Sequence, residues 1–171
     1  MNIKNKQNIV IKIGTTSIIK NNKVDSTLLK NLVELVNEYN NKYNFVIVTS
    51  GAVGLGASKL NYESRPKSLK KLQVASAVGQ IELINEYEKV FKKSEMNIAQ
   101  VLITKNLIDD REQFVNTTQA LNELLSQGII PVINENDVVA TEELKFGDND
   151  RLSAIVSIIV DAERLIIVTN K

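Results

Sequence analysis

The sequence contains no cysteine and no histidine among its 171 residues. Without cysteine there are no disulfides, no thiol nucleophile and no cysteine zinc site. Without histidine there is no imidazole base and no imidazole metal ligand. Any chemistry must therefore use Lys, Asp, Glu, Ser, Thr, Asn and backbone amides. These groups suit phosphoryl transfer, which depends on positioning and charge neutralisation more than on a strong base.

Aromatic residues and excess charge are also scarce. Aromatics make up 5% of the chain and the net charge is +1, so we expect no nucleic-acid partner and no anionic membrane partner. No apolar run reaches 18 residues, and no signal-peptide pattern follows the first residues, so a cytoplasmic location is the default. The apolar fraction of 43% and the charged fraction of 24% predict one globular domain or part of a larger one.

Short β-branched runs alternate with helical patterns along the whole chain. This alternation predicts an α/β fold with a mainly parallel sheet and helices on both faces. One helix is expected to begin at Asp25 and to bury Leu28, Leu32, Leu35, Val36 and Tyr39. The predicted strands span 9–13, 45–49, 98–103, 129–133 and 164–169, and further helices span 66–93, 111–127 and 150–161.

The long helix contains a segment of small residues, 75–80. Small residues permit the close approach of another backbone or of a subunit, and packing within the core is the favoured interpretation. The segment 50–56 is the richest in glycine. It is not a phosphate-binding loop, because Ala57 and Ser58 occupy the positions where Lys and Ser or Thr are required. It is not a dinucleotide fingerprint either, because Lys59 occupies the position of the third glycine.

Polar residues follow several of the predicted strands. An acid-amide cluster, 134–137, follows the fourth strand, and a second, 147–150, precedes an apolar helix. α/β proteins place their sites at the carboxyl ends of parallel strands. For either cluster alone, a solvated loop with N-cap residues is the favoured interpretation, and a metal-binding carboxylate cluster is an alternative.

Six motifs lie along the chain, most of them at or near strand ends. They are Val10-Ile-Lys-Ile-Gly-Thr-Thr16, Val48-Thr-Ser-Gly-Ala-Val53, Gln73-Val-Ala-Ser-Ala-Val-Gly-Gln80, Asp110-Arg-Glu-Gln-Phe-Val-Asn116, Pro131-Val-Ile-Asn-Glu-Asn-Asp137 and Phe146-Gly-Asp-Asn-Asp150. Taken together, these motifs resemble the glutamate 5-kinase branch of the amino-acid kinase family. The resemblance covers nearly all of the chain, in order and with family-like spacing.

The resemblance implies ATP-dependent phosphorylation of the γ-carboxylate of L-glutamate, the first step of proline synthesis. It also implies an αβα sandwich whose amino-terminal half holds the amino acid and whose carboxyl-terminal half holds ATP. Mg²⁺ would be carried with ATP, with no metal site made by the protein. The further partners implied are proline as a feedback inhibitor and a second copy of the chain in a homo-oligomer.

The resemblance also implies a role for particular residues. Lys12 would contact the transferring phosphoryl group, and Asp150 would orient active-site lysines. The backbone of Gly14 and Thr15 would hold phosphate oxygens. The expected glutamate-binding residues are Ser50, Gly51, Ala52, Asn134, Asp137 and Asn149. The expected start of the ATP region is Thr169 and Asn170.

The chain departs from the family pattern near its end. Family members continue into a nucleotide-binding half, where a loop supplies a second catalytic lysine. No loop of that kind occurs in this sequence. Asn170 also stands where the family usually has Asp. We therefore expect residues 1–171 to be the amino-terminal, substrate-binding portion, with little or no kinase activity alone. The alternative is a non-catalytic glutamate- or proline-binding module or regulatory fragment of the same family.

Overall fold

The computed structural model describes residues 6–139 and 149–170. Helices separate the longer strands in chain order, as the apolar runs predict. The strands are β1 (Gln7–Ile13), β2 (Ile19–Lys20), β3 (Lys23–Val24), β4 (Tyr43–Val48), β5 (Ile98–Ile103), β6 (Ile130–Glu135) and β7 (Ala162–Val168). The α-helices are α1 (Thr15–Ile18), α2 (Ser26–Tyr39), α3 (Ala52–Lys59), α4 (Leu69–Lys92), α5 (Arg111–Ser126) and α6 (Asp150–Ile159), and two 3₁₀ helices span Lys105–Asp109 and Asp137–Val139.

Five of the strands form a parallel sheet in the order β5-β6-β4-β1-β7. The predicted α/β fold with a mainly parallel central sheet is therefore confirmed. One apolar core lies between the sheet and α2 and α4, and a second lies between the sheet and α5 and α6. Because all five strands run the same way, their carboxyl ends meet at one edge of the sheet.

Strand alternation decides which helix each site residue faces. In β1, Ile9, Ile11 and Ile13 belong to the core beneath α2 and α4, whereas Val10 belongs to the core beneath α5 and α6. Successive side chains of a strand point to opposite faces, so Lys12 shares the face of Val10. It therefore lies on the side of the sheet where α6 begins.

The small residues of α4 bring its backbone against that of α3. A Cβ built on Gly56 would lie 1.7 Å from the Ala75 carbonyl oxygen, and one built on Gly79 would lie 1.9 Å from the Ala52 oxygen. Only glycine fits at these two positions, because a methyl group would overlap with main-chain atoms of the other helix. The segment predicted to permit close backbone approach therefore packs inside the domain.

The first long helix begins as predicted but is rotated about its axis. The Asp25 side chain accepts hydrogen bonds from the Thr27 and Leu28 amides, which confirms the predicted cap. The predicted apolar face is wrong in part, because Leu35 and Tyr39 are exposed. The buried positions follow the i, i+3, i+4, i+7 spacing of a single helical stripe. They are Leu29, Leu32, Val33 and Val36.

Other differences from the predicted elements are local. The helix expected from position 66 begins at Leu69, with Ser68 as the preceding residue. The antiparallel β2–β3 hairpin is absent from the sequence-based prediction, because strands of two residues are too short to show a period. Part of the second acid-amide cluster, Gly147 and Asp148, lies outside the described residues. Within the described ranges, no helix is long and apolar enough to cross a membrane.

Candidate functional site

The carboxyl ends of β4 and β6 open onto a cavity of about 280 Å³. This volume is near the lower end of the range for small-molecule sites. The predicted site residues that line the cavity come from four segments of the chain. They are Thr15, Ser50, Gly51, Ala52, Asn134, Asp137 and Asn149.

The Asn149 side chain binds the ends of two neighbouring strands. Its Nδ2 contacts the Thr49 carbonyl oxygen, Ser50 Oγ at 3.1 Å and Asn134 Oδ1 at 2.9 Å. Asn149 is the N-cap residue of α6, but its side chain makes no capping bond in the described chain. The side chain instead holds the ends of β4 and β6 in a fixed relation, with the residue 2% exposed.

Backbone groups fix the orientation of both buried amides. The Glu135 N–H, which can only donate, donates to Asn134 Oδ1 at 2.9 Å. The Thr49 carbonyl, which can only accept, accepts from Asn149 Nδ2. Asn134 Nδ2 must therefore point the other way, and it donates to Gln80 Oε1 on α4 at 2.8 Å.

The amide donors of Asn134 and Asn149 are thus engaged with acceptors of the protein itself. Asn149 Oδ1 is buried and has no hydrogen-bond partner within residues 6–139 and 149–170. A buried carbonyl oxygen without a partner costs about 1–3 kcal/mol. The two side chains therefore hold the wall of the cavity in place, and donors for an anionic ligand must come from elsewhere.

The N-terminus of α3 supplies such donors. Ala52, Val53 and Gly54 form its first turn, line the cavity, and have backbone N–H groups that lack partners within the helix. Gly51 precedes them with φ of +106°, a left-handed conformation that favours glycine. The helix dipole adds partial positive charge there, so this end of the cavity favours an anion.

The opposite charge lies in the Asp137 carboxylate. Asp137 is 7% exposed, lines the cavity, and accepts a hydrogen bond from Ser76 Oγ of α4 at 2.6 Å through Oδ2. The lining thus combines a carboxylate, which favours a cation, with helix amides, which favour an anion. An α-amino acid carries both charges on adjacent groups.

A buried tyrosine supports the end of β4 beneath the cavity. The Tyr87 hydroxyl donates to Thr49 Oγ1 at 2.9 Å, and both residues are fully buried. Burial raises the pKa of the Tyr87 hydroxyl above its ordinary value, against a smaller lowering by the bond to Thr49. The Thr49 hydroxyl thus has a neutral partner at all ordinary pH values, and Thr49 in turn presents its carbonyl to Asn149.

Lys12 occupies the next strand end. Its Nζ lies 2.5 Å from Asp150 Oδ1, and its side chain is 11% exposed, against 56% for Asp150. A Cβ built on Gly14 would lie 3.6 Å from Lys12 Nζ, so the glycine leaves the ammonium open on that side. The pair places a nearly buried positive charge at the edge of the sheet where the cavity opens.

Thr169 and Asn170 follow β7 and contact the turn after β1. Asn170 Nδ2 donates to the Thr16 carbonyl at 2.7 Å, and Gly14 N–H donates to the Val168 carbonyl at 3.2 Å. Thr169 Oγ1 contacts the Asn170 carbonyl at 3.4 Å. The predicted phosphate-side residues therefore lie at the β1 and β7 ends, beside the cavity, and Thr15 also lines it.

The sequence-based prediction misses Ser76, Gln80 and Tyr87. All three lie on the buried side of α4, where a helical pattern first indicates packing. The available signal is that Ser76 and Gln80, four residues apart, are polar residues on a buried face and so need partners. In the described part of the chain, no group of three or more Asp or Glu side chains is placed to hold a metal ion.

These features define an α/β protein with a polar cavity at the carboxyl edge of a parallel sheet. Residues 7–171 match the model of the Amino acid kinase family, and the chain belongs to that family. The solved UMP kinase from Ureaplasma parvum shares the fold, with a TM-score of 0.63 at 16% identity. That match covers 96% of this chain and 69% of the kinase.

Among curated proteins, the chain is similar to glutamate 5-kinases. It is 48% identical over 164 residues to the enzyme of Prochlorococcus marinus (strain MIT 9301), covering 94% of this chain and 45% of the relative. It is 43% identical over 169 residues to that of Haemophilus influenzae (strain PittEE), covering 98% and 46%. The chain thus spans about half the length of these relatives.

Proposed function

We propose that the chain is the amino-terminal, glutamate-binding portion of a glutamate 5-kinase. The proposed reaction is the ATP-dependent phosphorylation of the γ-carboxylate of L-glutamate to L-glutamyl 5-phosphate, the first step of proline biosynthesis. The observation that carries the proposal is the convergence of Ser50, Asp137 and Asn149 on one cavity, with Lys12 at the adjacent strand end. Similarity to glutamate 5-kinases over 94% of the chain supports the choice of substrate.

In this proposal the cavity binds glutamate by its two α-substituents. The α-ammonium pairs with the Asp137 carboxylate, and the α-carboxylate accepts from the first amides of α3, at Ala52 and Val53. The side chain then extends towards β1. Ser50 and Asn149 keep the ends of β4 and β6 at the spacing that this pose requires.

Lys12 would act on the transferring group. The γ-carboxylate and the triphosphate are both anionic, so their approach requires a positive charge between them. Lys12 offers one, and Asp150 fixes its ammonium. The backbone of Gly14 and Thr15, with Thr169 and Asn170, would hold phosphate oxygens of ATP, and Mg²⁺ would arrive bound to ATP. A reaction that consumes ATP favours a cytoplasmic location.

Isothermal titration calorimetry on the purified chain tests the binding step. We expect L-glutamate to bind, and proline to compete with it as a feedback inhibitor would. Glutarate, which lacks the α-ammonium, should bind at least about tenfold more weakly, because it has no cation to pair with the Asp137 carboxylate. Equal binding of glutamate and glutarate would overturn the assignment of the cavity.

A second candidate is a non-catalytic glutamate- or proline-binding module. It is favoured by the cavity lining, which combines the Asp137 carboxylate with the first amides of α3 and so suits an amino acid. A non-hydrolysable ATP analogue and the formation of γ-glutamyl hydroxamate distinguish the two. Amino-acid binding without nucleotide binding or hydroxamate supports the module, and hydroxamate formation at an enzymic rate supports the kinase.

We also propose that the chain forms a homo-oligomer through α4 and the edge strand β5. Val74, Ala77 and Ile81 are exposed along α4, and Leu102 is exposed on β5. β5 has one neighbour in the sheet and carries no charged residue and no proline, which are the usual protection of an edge. Sedimentation should show a mass above the monomer that Ile81→Glu reduces, and a monomeric parent chain would contradict this.

A further inference from the structure

Two residues of α4, Ser76 and Gln80, contact the glutamate cavity from behind. They lie four residues apart, on the same face of the helix, and are 4% and 8% exposed. Neither lines the cavity itself. Both line a second cleft of about 300 Å³ between α4 and the ends of β5 and β6. Their partners Asp137 and Asn134 are part of the glutamate cavity wall, and Asp137 lines the second cleft as well.

Each contact involves a defined atom of the cavity wall. Ser76 Oγ donates to Asp137 Oδ2 at 2.6 Å, which engages one carboxylate oxygen and restricts rotation of the group. Gln80 Oε1 accepts from Asn134 Nδ2 at 2.8 Å, and Asn134 Oδ1 accepts from Asn149 Nδ2 at 2.9 Å. The two contacts determine how a carboxylate and a pair of amides are oriented around the ligand.

The Gln80 contact requires an acceptor. The Glu135 N–H and the Thr49 carbonyl fix the orientation of Asn134 and Asn149 at the two ends of this chain of bonds. Asn134 Nδ2 is then a buried donor, and the side chain at position 80 must accept its hydrogen bond. A residue without an acceptor there would leave the donor unpaired or make Asn134 rotate, and rotation would break its bond with Asn149.

We propose that Ser76 and Gln80 are positioning residues of the amino-acid site. They fix the orientation of a carboxylate and of two amides in its wall, and so determine its preference for an α-ammonium group. This inference rests on the proposed function, because it concerns the same cavity. Neither residue touches the substrate. Ser76 acts through Asp137, and Gln80 acts through Asn134 and Asn149.

The effect on ligand binding should depend on the ligand's ammonium. Ser76→Ala removes the donor to Asp137 Oδ2, so the carboxylate loses one of the contacts that orient it, and glutamate affinity should fall about tenfold. Ser76→Thr keeps the hydroxyl and should retain most of the affinity. Gln80→Met keeps the length of the side chain without an acceptor and should also weaken glutamate binding about tenfold. Ile84→Ala, on the next turn of α4, changes only packing and should leave affinity unchanged.

Two measurements on the purified chain test the proposal. Calorimetry gives glutamate affinity, and nuclear magnetic resonance reports the side-chain NH₂ signals of Asn134 and Asn149 without any ligand. We expect Gln80→Met to shift both signals, or to increase their exchange with water, and we expect Ile84→Ala to leave them in place. A merely structural role for Gln80 would weaken glutamate and glutarate binding by the same factor, whereas the positioning role weakens glutamate binding more.

The two proposals fail in distinguishable ways. A parent chain that binds no glutamate, with Gln80→Met still shifting the amide signals, would overturn the proposed function and with it the link between these residues and glutamate. A parent chain that binds glutamate, with Ser76→Ala and Gln80→Met within about twofold of its affinity, would overturn only the positioning role.

Discussion

Lys12 Nζ lies 2.5 Å from Asp150 Oδ1, although the lysine side chain is nearly buried and the aspartate is half exposed. The pair joins the penultimate residue of β1 to the first residue of α6. The charge of the lysine therefore needs its partner more than the charge of the aspartate does. A charge that is withdrawn from water needs a partner, whereas an exposed carboxylate is already hydrated.

The asymmetry of this pair predicts that removing the aspartate costs more stability when the lysine is present than when it is absent. Asp150→Asn should lower the free energy of unfolding by about 1 kcal/mol, because it leaves a buried ammonium without its counter-charge, with solvent reducing the loss. In a Lys12→Met background the same substitution should cost much less. Urea unfolding of the parent, both single variants and the double variant measures the coupling, and additive effects would argue against it.

The crossing of α3 and α4 predicts opposite results for two glycines of one helix. Gly56→Ala places a methyl group 1.7 Å from the Ala75 carbonyl oxygen and should destabilise the fold by about 3 kcal/mol or more. In the described residues, a Cβ on Gly54 meets no atom within 4 Å. Gly54→Ala should therefore be neutral or stabilise by about 0.5–1 kcal/mol, through higher helix propensity. Thermal unfolding compares the two, and equal losses would contradict the close crossing.

Asp137 is predicted to dominate recognition of the ammonium group. Asp137→Asn keeps the size of the side chain but removes its charge, so glutamate affinity should fall about 10- to 100-fold. Glutarate, which has no ammonium, should bind the variant no more weakly than it binds the parent. Asp109→Asn, at an exposed position outside the cavity, is the matched control. Calorimetry would refute the assignment if Asp137→Asn and Asp109→Asn bound glutamate equally well.

Tyr87 is predicted to make the fold sensitive to alkaline pH. Its folded-state pKa is raised above the unfolded value of about 10, because ionisation would place a charge in the core. Above pH 10 the unfolded chain therefore loses a proton that the folded chain keeps, and stability falls as pH rises. This contribution has a slope of about 1.4 kcal/mol per pH unit.

The variant Tyr87→Phe isolates that contribution. It should cost about 1 kcal/mol at pH 7, through loss of the bond to Thr49. Between pH 10 and 11 its stability should fall less steeply than that of the parent chain. Urea unfolding at several pH values measures both slopes, and parallel slopes would show that Tyr87 ionises as readily in the folded state as in the unfolded state.

The sheet and its helices could be predicted because their signals are local. Runs such as 45–49 and 98–103 are continuous, apolar and β-branched, and the Asp25 cap depends on neighbours in sequence. The β2–β3 hairpin is too short to show a period. The face of α2 depends on which of two adjacent apolar stripes meets the sheet, and that choice is made by tertiary packing.

The site was predictable where polar residues follow strands and not where they lie within a helix. Ser50 and Asn134 follow or end apolar strands, a position that itself suggests a site. Asn149 could be predicted as a helix cap, but its side chain bonds 100 residues away, to the Thr49 carbonyl. The roles of Ser76 and Gln80 depend on such distant partners as well, which no sequence spacing encodes.

Gly79 and Gln80 are consecutive residues of α4 that contact two different segments of the cavity lining. Gly79 packs against the Ala52 carbonyl, and the Gln80 side chain binds Asn134. A single turn of α4 therefore contacts both α3 and the end of β6 at the cavity. Any event that shifts α4, including contact with another molecule on its exposed face, would alter the space available to the amino acid without touching the ligand.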